Sequence, residues 1–279
     1  MTIALDEVVK RIQDLPSLPA VVVDLLASMD QEDIDVHALA GKIALDQSLT
    51  AKTLRLANSS FYGMSTTVTT IAQAISVLGF HSIRTLVTAC SVTGSFAPPP
   101  ASRFDFRAFW RHAVGTAVCA KVLAPHLRQN PETAFIAGLL HDLGTLVLAT
   151  RYPAEYAEAL AWRAQHDCLM VEADRAVFGI DHAMIGSALA RHWQFPPKIQ
   201  QAVAEHHQAE LHSAPSLPLT IYLADVLAHA LDLSGAEDEQ VPPLALPAWR
   251  AAALSDEAVL ALLRDSETMF RDLCQILVN

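Results

Sequence analysis

The chain has 279 residues, enough for one large domain or two modest ones with a real core, and 52% of them are hydrophobic. Nineteen basic residues face thirty acidic ones, a formal net charge of −11 with no basic cluster, which argues against a nucleic-acid partner because such partners are held largely through phosphates. Mean hydropathy is +0.28, yet no apolar run reaches the eighteen or so residues of a membrane span, so neither DNA, RNA nor a bilayer is expected as a partner.

The first fifteen residues, MTIALDEVVKRIQDL, interleave acids and bases as an amphipathic helix does, not as a signal peptide does, and a cytoplasmic location is expected. The cysteines Cys90, Cys119, Cys168 and Cys274 are scattered and form no CxxC pair, so reduced core thiols are expected. After Leu15-Pro16-Ser17-Leu18-Pro19 a helix is predicted over 20–29. Another follows over 36–45, with Asp35 as N-cap, and a third over 46–58, with Leu49, Thr53, Leu56 and Ala57 on one face. Turn formers over 58–63 end it. Thr69-Thr70 then opens a helix over 71–78, closed by Gly79, and the next begins near Ser82 and runs toward Cys90.

Pro98-Pro99-Pro100 cannot continue a helix and marks an internal boundary. Beyond it, helices are predicted over 106–123, 131–149, 153–165, 168–177, 182–193, 197–207 and 219–231. An acidic loop spans 234–243, and two closing helices cover 247–254 and 256–277. Nothing alternates convincingly as a strand. The chain is expected to be all-α, a two-lobed helical bundle with an N-terminal lobe over 1–97, a second lobe over 101–233 and C-terminal helices over 244–279 packed on the core.

Several polar residues do not suit a plain helical core, where an unpartnered polar group costs roughly 1–3 kcal/mol. His141 and Asp142 interrupt the most apolar stretch of the chain. Neighbouring helical positions point about 100° apart, so both reach one point only at a helix end or a distortion, which Gly138 and Gly144 would permit. Imidazole and carboxylate together suit Mn, Fe, Ni or Zn. His112, the doublets Asp181-His182 and His206-His207, and Asp225 are similar in character. Each has a plainer explanation. His112 suits a hydrogen-bonded core histidine, and Asp181 an N-cap. His206 and His207 suit the dipole of a helix end, and Asp225 can pair with His229 one turn on. His37, His81, His126, His166, His192 and His212 are read as surface or capping residues.

The ordered combination of His112, His141-Asp142, His182, His206-His207 and Asp225 resembles the HD superfamily of metal-dependent phosphohydrolases. A closer resemblance is to the HDOD family, HD-related output domains of bacterial signalling. It is carried by Leu15-Pro16-Ser17-Leu18-Pro19, by residues 46–59 and 71–79, and by Phe109-Trp110-Arg111-His112, Gly138 to Gly144, Asp181-His182 and Glu205-His206-His207. It covers roughly residues 8–230.

By resemblance to the HD-GYP phosphodiesterases, which hydrolyse cyclic dinucleotides at a two- or three-metal centre, His112, His141, Asp142, His182, His206, His207 and Asp225 are implied as ligands of one or two divalent transition metals. Asp142 is implied as the bridging and catalytic carboxylate. Two pieces of those enzymes are missing: the lysine after His-Asp-x-Gly is Thr145, and no Gly-Tyr-Pro follows His206-His207. The implied function is therefore a metal-binding output module with a signalling protein as partner and a small phosphate-containing ligand. The alternative is a metal-dependent phosphohydrolase acting on a nucleotide or cyclic dinucleotide. A third reading, a DNA-binding helix-turn-helix over 71–88, has only His81 and Arg84 to offer a phosphate. Lys52, Arg55 and Asn58 fall on one stripe, either facing a cleft between the lobes or forming a solvated face with Asn58 as a cap.

Overall fold

The structure, a computed structural model, describes residues 7–8, 10, 18–27, 36–59, 62, 67–94, 96, 104–208 and 214–278. The opening helix, the Asp35 cap, the triple-proline boundary and the segment after Gln208 fall largely or wholly outside them. Among the described residues the fold is all-α, without strands. In chain order the first five helices are α1 (Ala20–Ala27), α2 (Val36–Ala44), α3 (Gln47–Ala57), α4 (Ile71–Leu78) and α5 (Phe80–Gly94). The next six are α6 (Phe106–Leu123), α7 (Pro131–Leu140), α8 (Leu143–Arg151), α9 (Pro153–His166), α10 (Met170–Phe178) and α11 (His182–His192). The last four are α12 (Pro197–Glu205), α13 (Leu217–Ala230), α14 (Leu246–Ala252) and α15 (Asp256–Leu277).

Polar caps fix where these helices start. Asp46, Thr70, Asp105, Asn130, Asp181, Ser216 and Ser255 each accept a hydrogen bond from a backbone N–H three residues on, satisfying a donor the helix cannot. Pro131 at the head of α7 and Pro218 in the first turn of α13 take positions where a missing N–H costs nothing.

The centre of the molecule is α6, buried along almost its whole length and packed against α7, α13 and α15. The residues that make this possible are small: Ala113, Gly115, Thr116, Ala117 and Ala120. A Cβ at Gly138 would lie 2.8 Å from the Ala117 Cα, so α7 sits directly on the α6 backbone. Contrary to the expectation that no segment is apolar enough for a membrane span, residues 131–151 contain an 18-residue window that is, but 89% of that window is buried inside the protein, where it forms core.

Two predicted helices differ from those observed. Residues 131–149 do not form one helix: α7 ends at Leu140, α8 begins at Leu143, and His141 and Asp142 occupy the break. Gly138 and Gly144 do not cause that break by flexibility; both serve close approach. A Cβ on Gly144 would stand 1.9 Å from the His182 carbonyl oxygen and 2.7 Å from the Gly186 nitrogen. A methyl cannot be accommodated between two backbones, so Gly144→Ala is expected to lower stability by about 3 kcal/mol, measured by urea unfolding.

The helix expected from Ser82 begins instead at Phe80, because Gly79 at φ +82° ends α4 and redirects the chain at once. Residues 83–92 of α5 are buried, Arg84 included. The face a DNA-reading helix must expose is therefore core here, and the helix-turn-helix reading falls. On α3, Asn58 is the cap: its amide donates to the Leu54 and Val68 carbonyls and accepts from the Val68 N–H. Arg55 donates to the Gln275 carbonyl at 3.0 Å and so ties the N-terminal helices to α15.

Candidate metal centre

The break between α7 and α8 aims Asp142 into the bundle, and the remaining predicted residues arrive from four other helices. His112 comes from the middle of α6, His182 from the first turn of α11, His206 and His207 from the end of α12, and Asp225 from α13. All seven residues meet. The contact of Gly144 with His182 brings the break onto the start of α11. Asp181 fixes that start by capping Met184 and by accepting two hydrogen bonds from Arg175, each 2.8 Å long. It is a cap, as its position suggested.

Asp142 divides the cluster. Its Oδ1 lies 3.2 Å from His182 Nε2 and 3.4 Å from His206 Nε2. Its Oδ2 lies 3.3 Å from His141 Nε2 and 3.7 Å from His112 Nε2. Asp225 Oδ1 approaches the second group, 3.0 Å from His112 and 3.4 Å from His141. His207 Nε2 belongs to the first group, 2.7 Å from His182 Nε2. One carboxylate thus faces two sets of imidazoles, one oxygen to each.

Three of the five imidazoles are held from outside, whereas His112 Nδ1 is buried without a hydrogen bond. His141 and His206 each donate Nδ1–H to the backbone carbonyl three residues back, Gly138 and Val203, both at 2.7 Å. His182 donates Nδ1–H to Asp174 at 2.6 Å, and its backbone N–H reaches the same oxygen. Because carbonyls and carboxylates only accept, these bonds fix the tautomer and turn each Nε2 lone pair inward. The pairs His182–His207 and His112–His141 then oppose nitrogen to nitrogen at 2.7 and 3.2 Å. Two lone pairs repel at that range unless a proton or a metal ion lies between them. Asp142 Oδ1 and His206 Nε2 are buried and make no geometrically sound hydrogen bond. Orphaned inward atoms on outwardly anchored rings are what a metal-binding donor set looks like, and three overlapping groups here can hold an ion.

In the metal-free chain, protons take that role. Burial pushes the imidazolium of His141 down, but the charges of Asp142 and Asp225 and their hydrogen bonds lift it to about 10. Burial likewise opposes charge on His182, and Asp142 and Asp174 overcome it. His206 and His207 are pushed down, by burial first, which favours their neutral forms and leaves His207 Nε2 to accept from His182. Burial opposes ionisation of Asp142, yet His141 and His182 hold it well below the carboxylate range; His229 is the main counterpart for Asp225. A metal must displace the protons on His141 and His182. Uptake at pH 7 should therefore release protons, and affinity should rise by roughly tenfold per pH unit for each proton displaced, toward pH 10. Calorimetry in two buffers of different ionisation enthalpy measures that release; equal heats in both would contradict it.

Three residues of the site were not singled out in the sequence. Asp174, fully buried, shares the inner face of α10 with Val171 and Phe178, and that carboxylate at i+3 on an apolar face was a readable signal. His229 was read only as a partner of Asp225, whose Oδ1 it does approach at 3.4 Å, but its ring also lies 4.3 Å from that of His112. Glu239 looked like one more acid of a solvated loop. It accepts from His229 Nδ1 at 2.5 Å and from the Ser234 hydroxyl. Nothing local distinguishes it, because its role depends on the loop folding back over α13.

Beside the cluster lies a cavity of about 360 Å³ whose floor includes Asp142, His182, His207 and Asp225. The donors are therefore reachable from solvent; Asp142 retains 20% side-chain exposure.

Comparison with known proteins identifies the family. The HDOD domain model matches residues 15–209. A Shewanella amazonensis protein of known structure, provisionally named a phosphohydrolase, is 27% identical over 97% of both chains with a TM-score of 0.77. An HDOD domain protein of unknown function from Geobacter sulfurreducens shares the fold at 23% identity, with 97% of each chain covered and a TM-score of 0.79. An uncharacterised protein of Treponema pallidum is 25% identical over 244 residues, 86% of this chain and 47% of its own. The chain thus spans about half the length of that curated relative. With the family model covering most of its length and the fold shared end to end, the chain belongs to the HDOD family.

Proposed function

We propose that the chain is a signal-transduction output module that carries a divalent transition metal at its HD-like centre and hands its state to a protein partner. His112, His141, Asp142, His182, His206, His207 and Asp225 would hold the metal, with Asp142 offering one oxygen to each histidine group. Asp174 is the outer partner that orients His182. The observation that carries this reading is the division of Asp142, one oxygen toward each histidine group, with the rings anchored from behind. Fe, Mn, Ni and Zn all suit nitrogen and carboxylate ligands. A Marinobacter aquaeolei protein of this fold, 21% identical, is provisionally named a signal transduction protein, which is consistent with a signalling context.

A second reading, hydrolysis of a phosphate ester, is favoured by the cavity opening onto the donors. A bound metal pair supplies Lewis acidity and an activated water in such chemistry. This chain's own contribution there is thinner. The position of the enzymes' lysine is Thr145, buried in α8, and the one Lys or Arg of the described residues that lines the cavity, Arg163, is engaged by Asp238. Metal-loaded protein is therefore expected to stay folded and to leave cyclic dinucleotides intact. Chromatographic assay of the Mn- and Fe-loaded chain decides it: turnover abolished by Asp142→Ala would establish the enzyme and remove the output-only reading.

A further inference from the structure

We infer that the cavity beside the donor cluster takes a compact phosphate monoester with an apolar or aromatic body, and rejects ligands that carry two separated phosphates. This rests on the metal centre proposed above, which would hold the phosphate.

Three observations define the ligand. The first is size. About 360 Å³ lies near the bottom of the range of small-molecule sites, about 300–1,000 Å³, so the space suits one ring system and one phosphate.

The second is charge. Asp105, Asp238 and Glu239 line the walls in addition to Asp142 and Asp225 at the floor, and Arg163 is the one cationic Lys or Arg among the lining residues. Its guanidinium is committed: Nη1 to the Asp238 carboxylate at 2.7 Å, Nη2 to the Asp238 carbonyl at 2.8 Å and Nε to Gln240 at 3.1 Å. A phosphate seated on the metals has its charge met there. A second phosphate away from the metals would meet a lining dominated by carboxylates, because His229, like Arg163, is already engaged, by Asp225 and Glu239.

The third is the apolar part of the lining, formed by Phe104, Phe109, Leu160 and Met170. Phe104 packs at 5.6 Å against Phe109 and edge-on against Tyr156 at 5.7 Å, so the aromatic faces are already held in place. Such a wall accepts a flat or apolar body at little ordering cost.

The test uses the full chain loaded with Mn, its metal content first measured by elemental analysis, and calorimetric titration with three probes: inorganic phosphate, phenyl phosphate and a cyclic purine dinucleotide. Phenyl phosphate is expected to bind at least tenfold tighter than inorganic phosphate, and the dinucleotide not to compete. Met170→Ala and Phe109→Leu, the first only partly buried and the second conservative, should each shrink the phenyl preference severalfold and leave inorganic phosphate binding unchanged. Equal affinity for phosphate and phenyl phosphate, or tight dinucleotide binding, in a protein shown to hold metal overturns this inference alone. A chain that takes up no metal overturns it together with the reading on which it rests.

Discussion

Replacing Asp142 by alanine is expected to abolish metal retention, with affinity falling by more than about 100-fold, the upper end of what loss of an outer-shell partner alone costs. The reason is positional. No other carboxylate among the described residues faces both histidine groups: Asp225 approaches His112, His141 and His229, whereas His182 and His206 lie within reach of Asp142 Oδ1. The substitution also changes the metal-free chain. Asp142 is the leading charge holding protons on His141 and His182, so both rings should titrate lower without it. NMR of the imidazole nitrogens in wild-type and variant apo-protein reads that fall directly, while elemental analysis reads the metal. A variant that keeps its full metal complement would remove Asp142 from the bridging position.

Asp174→Ala is the second substitution with a large expected effect, although Asp174 is not among the proposed ligands. It is fully buried, and its Oδ2 accepts from both the ring and the backbone N–H of His182. Removing it strands a buried imidazole whose inward nitrogen is already contested by His207 at 2.7 Å. Breaking a buried charged pair in this way costs about 3–5 kcal/mol, and loss of the outer partner costs about 10–100-fold in metal affinity. Asp174→Asn should recover much of the stability, since an amide oxygen still accepts from Nδ1–H, but less of the affinity, since the ring loses its anionic support. Unfolding curves with and without metal separate the two effects. Equal losses for both variants would mean that the charge on Asp174, which both lack, accounts for the whole effect and that the retained acceptor contributes nothing.

The helical architecture was readable because its signals are local. Caps such as Asp46, Asn130, Asp181 and Ser216, and the apolar periodicity between them, depend on residues a few positions apart. The inner shell was readable for a different reason: His and Asp inside apolar helices are costly without a partner, so each marks itself. What escaped was set by tertiary contact. Residues 131–149 look like one helix because nothing local forbids it. The break follows from Gly138 resting on α6 and Gly144 on α11, contacts that exist only once three helices are assembled. Asp174 and Glu239 lack any motif. One is legible only as a carboxylate on an apolar helix face, and the other only after residues 234–243 have folded across the cavity and met His229 and Arg163.

The output role and the metal are separable questions, and the centre comes first. If the donors bind nothing, the buried imidazoles and carboxylates are a proton-bridged ion cluster, and the phosphate preference of the cavity has no anchor. The most direct measurement is anomalous diffraction from crystals of the Mn- or Fe-loaded chain. Anomalous density is expected on both sides of Asp142, one peak among Oδ1, His182, His206 and His207, the other among Oδ2, His112, His141 and Asp225. A loaded crystal with no anomalous density between these residues, and with His182 and His207 still in direct hydrogen-bond contact, would contradict that expectation.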